Sequence, residues 1–214
     1  IVPPKGYLDR LREICTAHDI LLIFDEVITA FGRSGATTGA EAFGVTPDIM
    51  NVAKQITNGA VPMGAVIATS EIFDTFMHAG GAPHAIEFPH GYTYSAHPVA
   101  CAAGLAALEM MERENFPAQV NAIAPVFEQK LHALKGHNHI VDIRNYGLAG
   151  ALQLAPRNGD PTIRPRDAHM ALWEAGFYVR YGGDTLQFGP PFGTTEAELE
   201  RLFDAVATTL DSLA

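Results

Sequence analysis

The stretch ILLIFDEVITAFGR, residues 20–33, constrains the chain most, because five consecutive apolar residues run straight into an acidic pair, Asp25 and Glu26. A run this short, following apolar residues at 7, 8, 11, 14 and 15, reads as a helix and then a buried strand. In open α/β sheets ligands bind at the carboxyl ends of strands, and Asp25 falls there. An ionised carboxylate buried without a partner is costly, so a cation, a metal or several N–H donors are expected opposite it. On spacing alone, a capping or salt-bridging acid is an equal alternative.

Further along, a Gly-rich connection (Gly32, Gly35, Gly39) leads to PDIMNVAKQITNGAVPMGAVIAT. Two β-rich runs flank Lys54 and the turn signal Asn58-Gly59, which predicts strand, turn, strand. Residues 98–112 are rich in Ala, Leu and Met behind a leading proline, a helix signature broken by Asn115, Phe116 and Pro117. A second helix is predicted over 118–134, two strands around 145–147, a helix over 166–175, a hairpin around Gly182-Gly183 and a closing helix over 196–213. This order indicates α/β structure first and α+β structure after it, with domains at 1–115 and 116–214. Internal repeats and low-complexity tracts are absent from the sequence.

Fourteen Lys+Arg against 24 Asp+Glu give a net charge of -10, which repels polyanions and argues against a nucleic-acid partner. The apolar runs are too short for a membrane-spanning helix, for which about 20 residues are needed. Two distant cysteines, Cys15 and Cys101, suggest neither a disulfide framework nor a zinc pair, so a reducing, cytoplasmic compartment is expected. The start at Ile1 without a methionine suggests a fragment.

Lys54 stands out among four lysines because its neighbours, Val52, Ala53, Ile56, Gly59 and Ala60, are small or apolar. A partly desolvated ammonium with a lowered pKa is expected, and such an amine is a nucleophile. The plainer alternative is a lysine whose stem packs and whose head reaches water. HGYTYSAHP, residues 90–98, puts hydroxyls and N–H groups before a helix, where an anion such as phosphate can bind. Arg180 interrupts an apolar strand ahead of two glycines and could grip a carboxylate bidentately or form a salt bridge. The histidines of HNH at 137–139 read as loop residues, and no metal site is assigned.

Together, LLIFDEVITAFGRSG, PDIMNVAKQITNGAVPMGAV and HGYTYSAHPVACAAGLAAL resemble the class III aminotransferases that use pyridoxal 5'-phosphate (PLP). The second half, with DIRNYGLAGALQLAPR and GFYVRYGGDTLQFGPPF, resembles the omega-amino acid:pyruvate branch, which includes beta-alanine:pyruvate aminotransferases. The resemblance implies fold type I, with residues 1–115 ending the large cofactor domain on a mainly parallel sheet and 116–214 forming the C-terminal small domain. The chain would be the C-terminal half of the protein.

By this resemblance, Asp25 meets the pyridine nitrogen of the cofactor, and Lys54 is the Schiff-base lysine that also shuttles the proton. Val27, on the same face of an extended segment as Asp25, packs on the ring. Thr93 binds the phosphate of the neighbouring subunit's cofactor, which implies a homodimer or homotetramer. Arg180 clamps the α-carboxylate of pyruvate or alanine. Glu26, Arg33 and Gln55 lie inside the motifs; Glu26 and Arg33 are expected to support the loop. Ala30 and Pro191 depart from the family pattern and bear on loop geometry. An isolated piece lacking the family's first half is expected to bind PLP weakly or not at all. Competing readings keep the cofactor with another specificity, such as an aminomutase, or make the chain an inert interaction subunit.

Overall fold

The computed structural model describes residues 1–79, 82, 84 and 90–213. The chain divides into two compact units. An N-terminal unit comprises Pro3–Gly32 and Ala36–Asn115; a C-terminal unit takes the chain from Phe116 onward, together with Ile1–Val2 and Arg33–Gly35.

In the N-terminal unit, α1 (Tyr7–Ala17) precedes β1 (Ile23–Asp25), α2 (Gly39–Phe43) and β2 (Ile49–Ala53). A 3-10 turn (Lys54–Thr57), β3 (Gly64–Ala68), α3 (Ser70–His78) and α4 (Pro98–Glu114) follow. The sheet has the order β1-β2-β3, with β1 parallel to β2 and β3 antiparallel to it. The amphipathic α1 covers one side of β1 through Cys15, Leu22 and Val45, joined by Leu8, Leu11 and Phe24. Only part of the apolar run is buried, since Leu22 is 5% exposed while Leu21 and Ile23 are 57% and 54% exposed. The expected strand over 20–24 therefore shortens to a three-residue strand covered on one side. A second cluster, Ala30, Val52 and Ile56, lies beneath the Lys54 turn. There α4 packs closely: a Cβ on Gly104 would sit 3.3 Å from Met63 Sδ and 3.6 Å from the Ile56 carbonyl.

The expected break after α4 is a single residue. Asn115 takes a left-handed conformation (φ 49°), caps α4, and the next helix starts at once with Phe116. Pro117 then occupies the first turn, where its missing N–H costs nothing.

The C-terminal unit contains α5 (Phe116–Ala133), the hairpin β4 (Ile140–Tyr146) and β5 (Ala149–Leu154), then α6 (Ile163–Glu174). The hairpin β6 (Arg180–Gly182) and β7 (Thr185–Phe188) leads to α7 (Glu196–Ser212). Its sheet is antiparallel throughout, in the order β4-β5-β7-β6. Phe127, Leu131, Leu152, Leu172, Leu186, Leu199, Val206 and Leu210 are fully buried and knit the helices to the sheet. The TEAE sequence at 195–198 starts α7 with a reciprocal capping box between Thr195 and Glu198. Among the described residues, no helix is long and apolar enough to cross a membrane.

Candidate active site

Parallel pairing of β1 with β2 places Ile23, Phe24 and Asp25 opposite Ile49, Met50 and Asn51. The carboxyl ends of both strands therefore lie side by side, and the Glu26 N–H extends the ladder by donating to the Asn51 carbonyl at 2.8 Å. Asp25 closes β1, and Lys54 is the first residue past β2. An acid and an amine thus leave adjacent strands at one rim, where open α/β sheets bind ligands.

The two acids of the motif divide the work differently from the sequence expectation. Asp25 is exposed, and Glu26 is the buried one at 1%. Glu26 meets the donors that a buried carboxylate requires: Gly39 N–H at 2.8 Å, Ala40 N–H at 2.6 Å and the Thr29 hydroxyl. It thereby satisfies the first N–H groups of α2, while Thr38 caps the same helix by accepting from Glu41 N–H. The TGAE sequence at 38–41 carries the capping-box pattern that could have disclosed this helix.

Asp25 Oδ1 accepts the Val27 N–H at 3.0 Å. Val27 belongs to a turn that follows β1, so the extended geometry expected to align it with Asp25 is replaced by this side-chain turn. The strand stops because the aspartate competes for the backbone N–H. Ala30 is buried without a left-handed φ; the positive φ angles in this loop fall on Phe31 (φ 64°), Gly32 (φ 112°) and Gly35 (φ 81°). Backbone freedom is therefore required beside Ala30, and the Ala30 departure leaves the loop intact.

Lys54 is exposed, which corrects the expected desolvation. Val52 and Ile56 point into the small cluster below, while a left-handed backbone (φ 53°) turns the lysine away from it. The turn is held by Gly59 N–H donating to the Lys54 carbonyl at 3.2 Å and by Asn58 N–H donating to Gln55 at 3.0 Å. Gln55 is half-buried beside it.

Thr93 is exposed in a turn tied by Ser95 N–H to the Tyr92 carbonyl and by Tyr92 N–H to Ser95 Oγ, both 3.0 Å. The His97 side chain accepts from Val99 N–H at 3.3 Å, so one donor at the start of α4 is taken by the chain itself. In the C-terminal unit, Arg180 opens the edge strand β6, paired with Gln187, and is exposed. Among the described residues no carboxylate lies within salt-bridge distance of it. Among them, too, no three metal-ligating side chains gather.

The pattern described as Aminotransferase class-III matches residues 1–210. A beta-alanine--pyruvate aminotransferase from Pseudomonas aeruginosa is 67% identical over the whole chain, which covers 48% of that protein. An omega-amino acid--pyruvate aminotransferase from Pseudomonas putida is 63% identical, with 47% of its length covered. The chain thus spans about half the length of these relatives. Among solved structures, an amine transaminase from an uncultivated Pseudomonas species in its PLP-bound form superposes with a TM-score of 0.90 at 38% identity. That match covers 98% of this chain and 48% of the other. The α/β fold with its mixed sheet is that of the fold type I transaminases, and this chain belongs to the class III aminotransferase family.

Proposed function

We propose that the protein of which this chain is part transfers an amino group from an omega-amino acid, such as beta-alanine, or an amine to pyruvate, using PLP. The carrying observation is Asp25 and Lys54 at the carboxyl ends of adjacent parallel strands. The identities of 67% and 63% to aminotransferases named for beta-alanine, omega-amino acids and pyruvate support the substrate class.

The residues at the rim fit the cofactor: an exposed acid for a ring nitrogen, an exposed amine for an aldehyde, and Val27 held beside the acid. When bound, PLP supplies an electron sink for the substrate's reacting carbon. Asp25 would hold a proton on the ring nitrogen. Lys54 would hold the cofactor through its ε-amine and, once released, carry the proton at the substrate carbon. Val27 would pack on the ring and Thr93 would bind the phosphate of a neighbouring subunit's cofactor, which makes a homodimer or homotetramer part of this reading. Arg180, with no carboxylate beside it among the described residues, would clamp the α-carboxylate of pyruvate. In this reading residues 1–115 belong to the large cofactor domain and 116–214 form the small domain. The free thiols of Cys15 and Cys101 suit a cytoplasmic setting.

The test uses the full-length protein. Incubation with PLP gives the absorbance band of lysine-bound cofactor, Lys54→Ala abolishes it, and pyruvate outperforms 2-oxoglutarate as acceptor. A band that survives in Lys54→Ala refutes the lysine assignment, and equal use of both acceptors refutes the pyruvate branch.

A further inference from the structure

We propose that Arg33 is a positioning residue: it pins the tip of the loop that begins at Asp25, and so fixes how Asp25 and Val27 are presented to the cofactor. The inference rests on the cofactor reading above. The loop over residues 26–40 is closed at its neck by the buried Glu26 carboxylate on Gly39 and Ala40 N–H. A second closure, Phe31 N–H to the Thr37 carbonyl at 2.6 Å, lies just inside it. At the tip, Arg33–Gly35 groups with the C-terminal unit although the residues on both sides of it belong to the N-terminal unit.

Arg33 carries most of that attachment. Its guanidinium donates to the carbonyls of Leu148 at 3.1 Å and Pro190 at 2.5 Å, and its Cζ lies 4.6 Å from the centre of the Phe192 ring. The Arg33 carbonyl in turn accepts the Leu148 N–H at 3.1 Å. Asn121 Nδ2 donates to the Gly35 carbonyl at 2.7 Å, a second hold on the same tripeptide. Among the described residues no carboxylate neutralises Arg33, and burial lowers its pKa.

A half-buried cation with no counter-charge among the described residues is costly for a surface loop to keep. Its contacts are two backbone carbonyls, both reached from the single Nη1, and an aromatic face; Nη1 lies one bond farther from the backbone than a lysine ammonium, which therefore cannot reach the same two carbonyls from over the ring. What they hold in place is a loop whose first residues are Asp25 and Val27. Misplacing a site by about 1 Å through a distant support is enough to impair it.

The test compares wild-type full-length protein with Arg33→Met and Arg33→Lys. In the cofactor-free form, hydrogen exchange should quicken about tenfold at the neck amides of Phe31, Gly39 and Ala40 as well as at Leu148. The PLP dissociation constant should rise about tenfold, and Arg33→Lys, whose ammonium ends one bond short of Nη1, should recover little of either change. Faster exchange at Leu148 alone, with the neck and PLP affinity unchanged, overturns the proposal, as does full rescue by Arg33→Lys. Arg33→Lys keeps the charge and decides the matter if Arg33→Met does not fold. Should Lys54→Ala leave the cofactor band intact, the cofactor reading fails on its own, while the exchange data still report whether Arg33 holds the loop.

Discussion

Asp25 lies directly opposite Asn51 in the parallel β1–β2 pair, three positions before Lys54 in the second strand. That register brings an acid and an amine, far apart in sequence, to one rim, and the backbone at the amine is distorted to do so. Lys54 has φ 53°, a conformation that costs a non-glycine residue about 1–2 kcal/mol. Lys54→Gly should therefore make the cofactor-free full-length protein more stable than Lys54→Ala by about 1 kcal/mol, although both lose the cofactor band. Thermal unfolding of the two variants measures the difference; equal melting temperatures would show that the turn stores no strain.

Glu26 and Asp25 should respond in opposite ways to loss of charge. Glu26→Gln sets an NH2 group against the N–H donors of Gly39 or Ala40 in a site only 1% exposed, and should cost about 2–4 kcal/mol. Asp25→Asn keeps an oxygen for the Val27 N–H at an exposed position and should change stability by less than about 0.5 kcal/mol while weakening PLP binding. Urea unfolding alongside PLP titration separates the two, and a larger stability loss in Asp25→Asn would reverse the assignment.

This division of labour marks where sequence reading stops. The helices α4, α5 and α7 and the two C-terminal hairpins are legible because apolar periodicity, a leading proline and glycine turns all agree locally. That Asp25 ends one strand and Lys54 follows another is legible in the apolar runs that precede them. Which of two adjacent acids is buried is not, because that depends on Gly39 and Ala40 arriving from 13 and 14 residues away. Short α2 is marked only by the Thr38–Glu41 capping pattern within a glycine-rich stretch, and α3 has no side-chain cap to announce it. The exposure of Lys54 follows from a single left-handed residue, for which a lysine carries no propensity signal.

Gly147 tests the close approach at the β4–β5 turn. It has φ 54°, and a Cβ there would come within 2.4 Å of the Arg33 carbonyl and 3.0 Å of Ser34 backbone atoms. Gly159 is also left-handed (φ 82°) but has nothing within 4 Å. Gly159→Ala should cost only the backbone penalty, about 1 kcal/mol, whereas Gly147→Ala adds a backbone collision and should cost about 3 kcal/mol or more. Chemical denaturation of both gives the collision energy as the difference; equal losses would mean that the Arg33 strap does not press on this turn.

Stability at low pH should report on Asp48. Its carboxylate accepts from Arg12 Nη1 at 2.7 Å and from Leu22 N–H at 2.6 Å, and the Arg12 hydrogen bond first, then the Leu22 N–H, hold its pKa below the ordinary carboxylate range. Folding thus favours the ionised form. The resulting stability is complete above the unfolded pKa of about 4 and is lost as pH falls through the lower folded value. Asp48→Asn should therefore destabilise the protein by about 1–2 kcal/mol at pH 7, discounted from the full charge-assisted value because the side chain is a quarter exposed. The gap to wild type should narrow steadily below about pH 4, as the native carboxylate takes up its own proton. Melting temperatures of both proteins between neutral and acidic pH check this. A gap that stays constant as the medium is acidified would mean that the Asp48 charge contributes nothing and that the loss in Asp48→Asn does not come from ionisation.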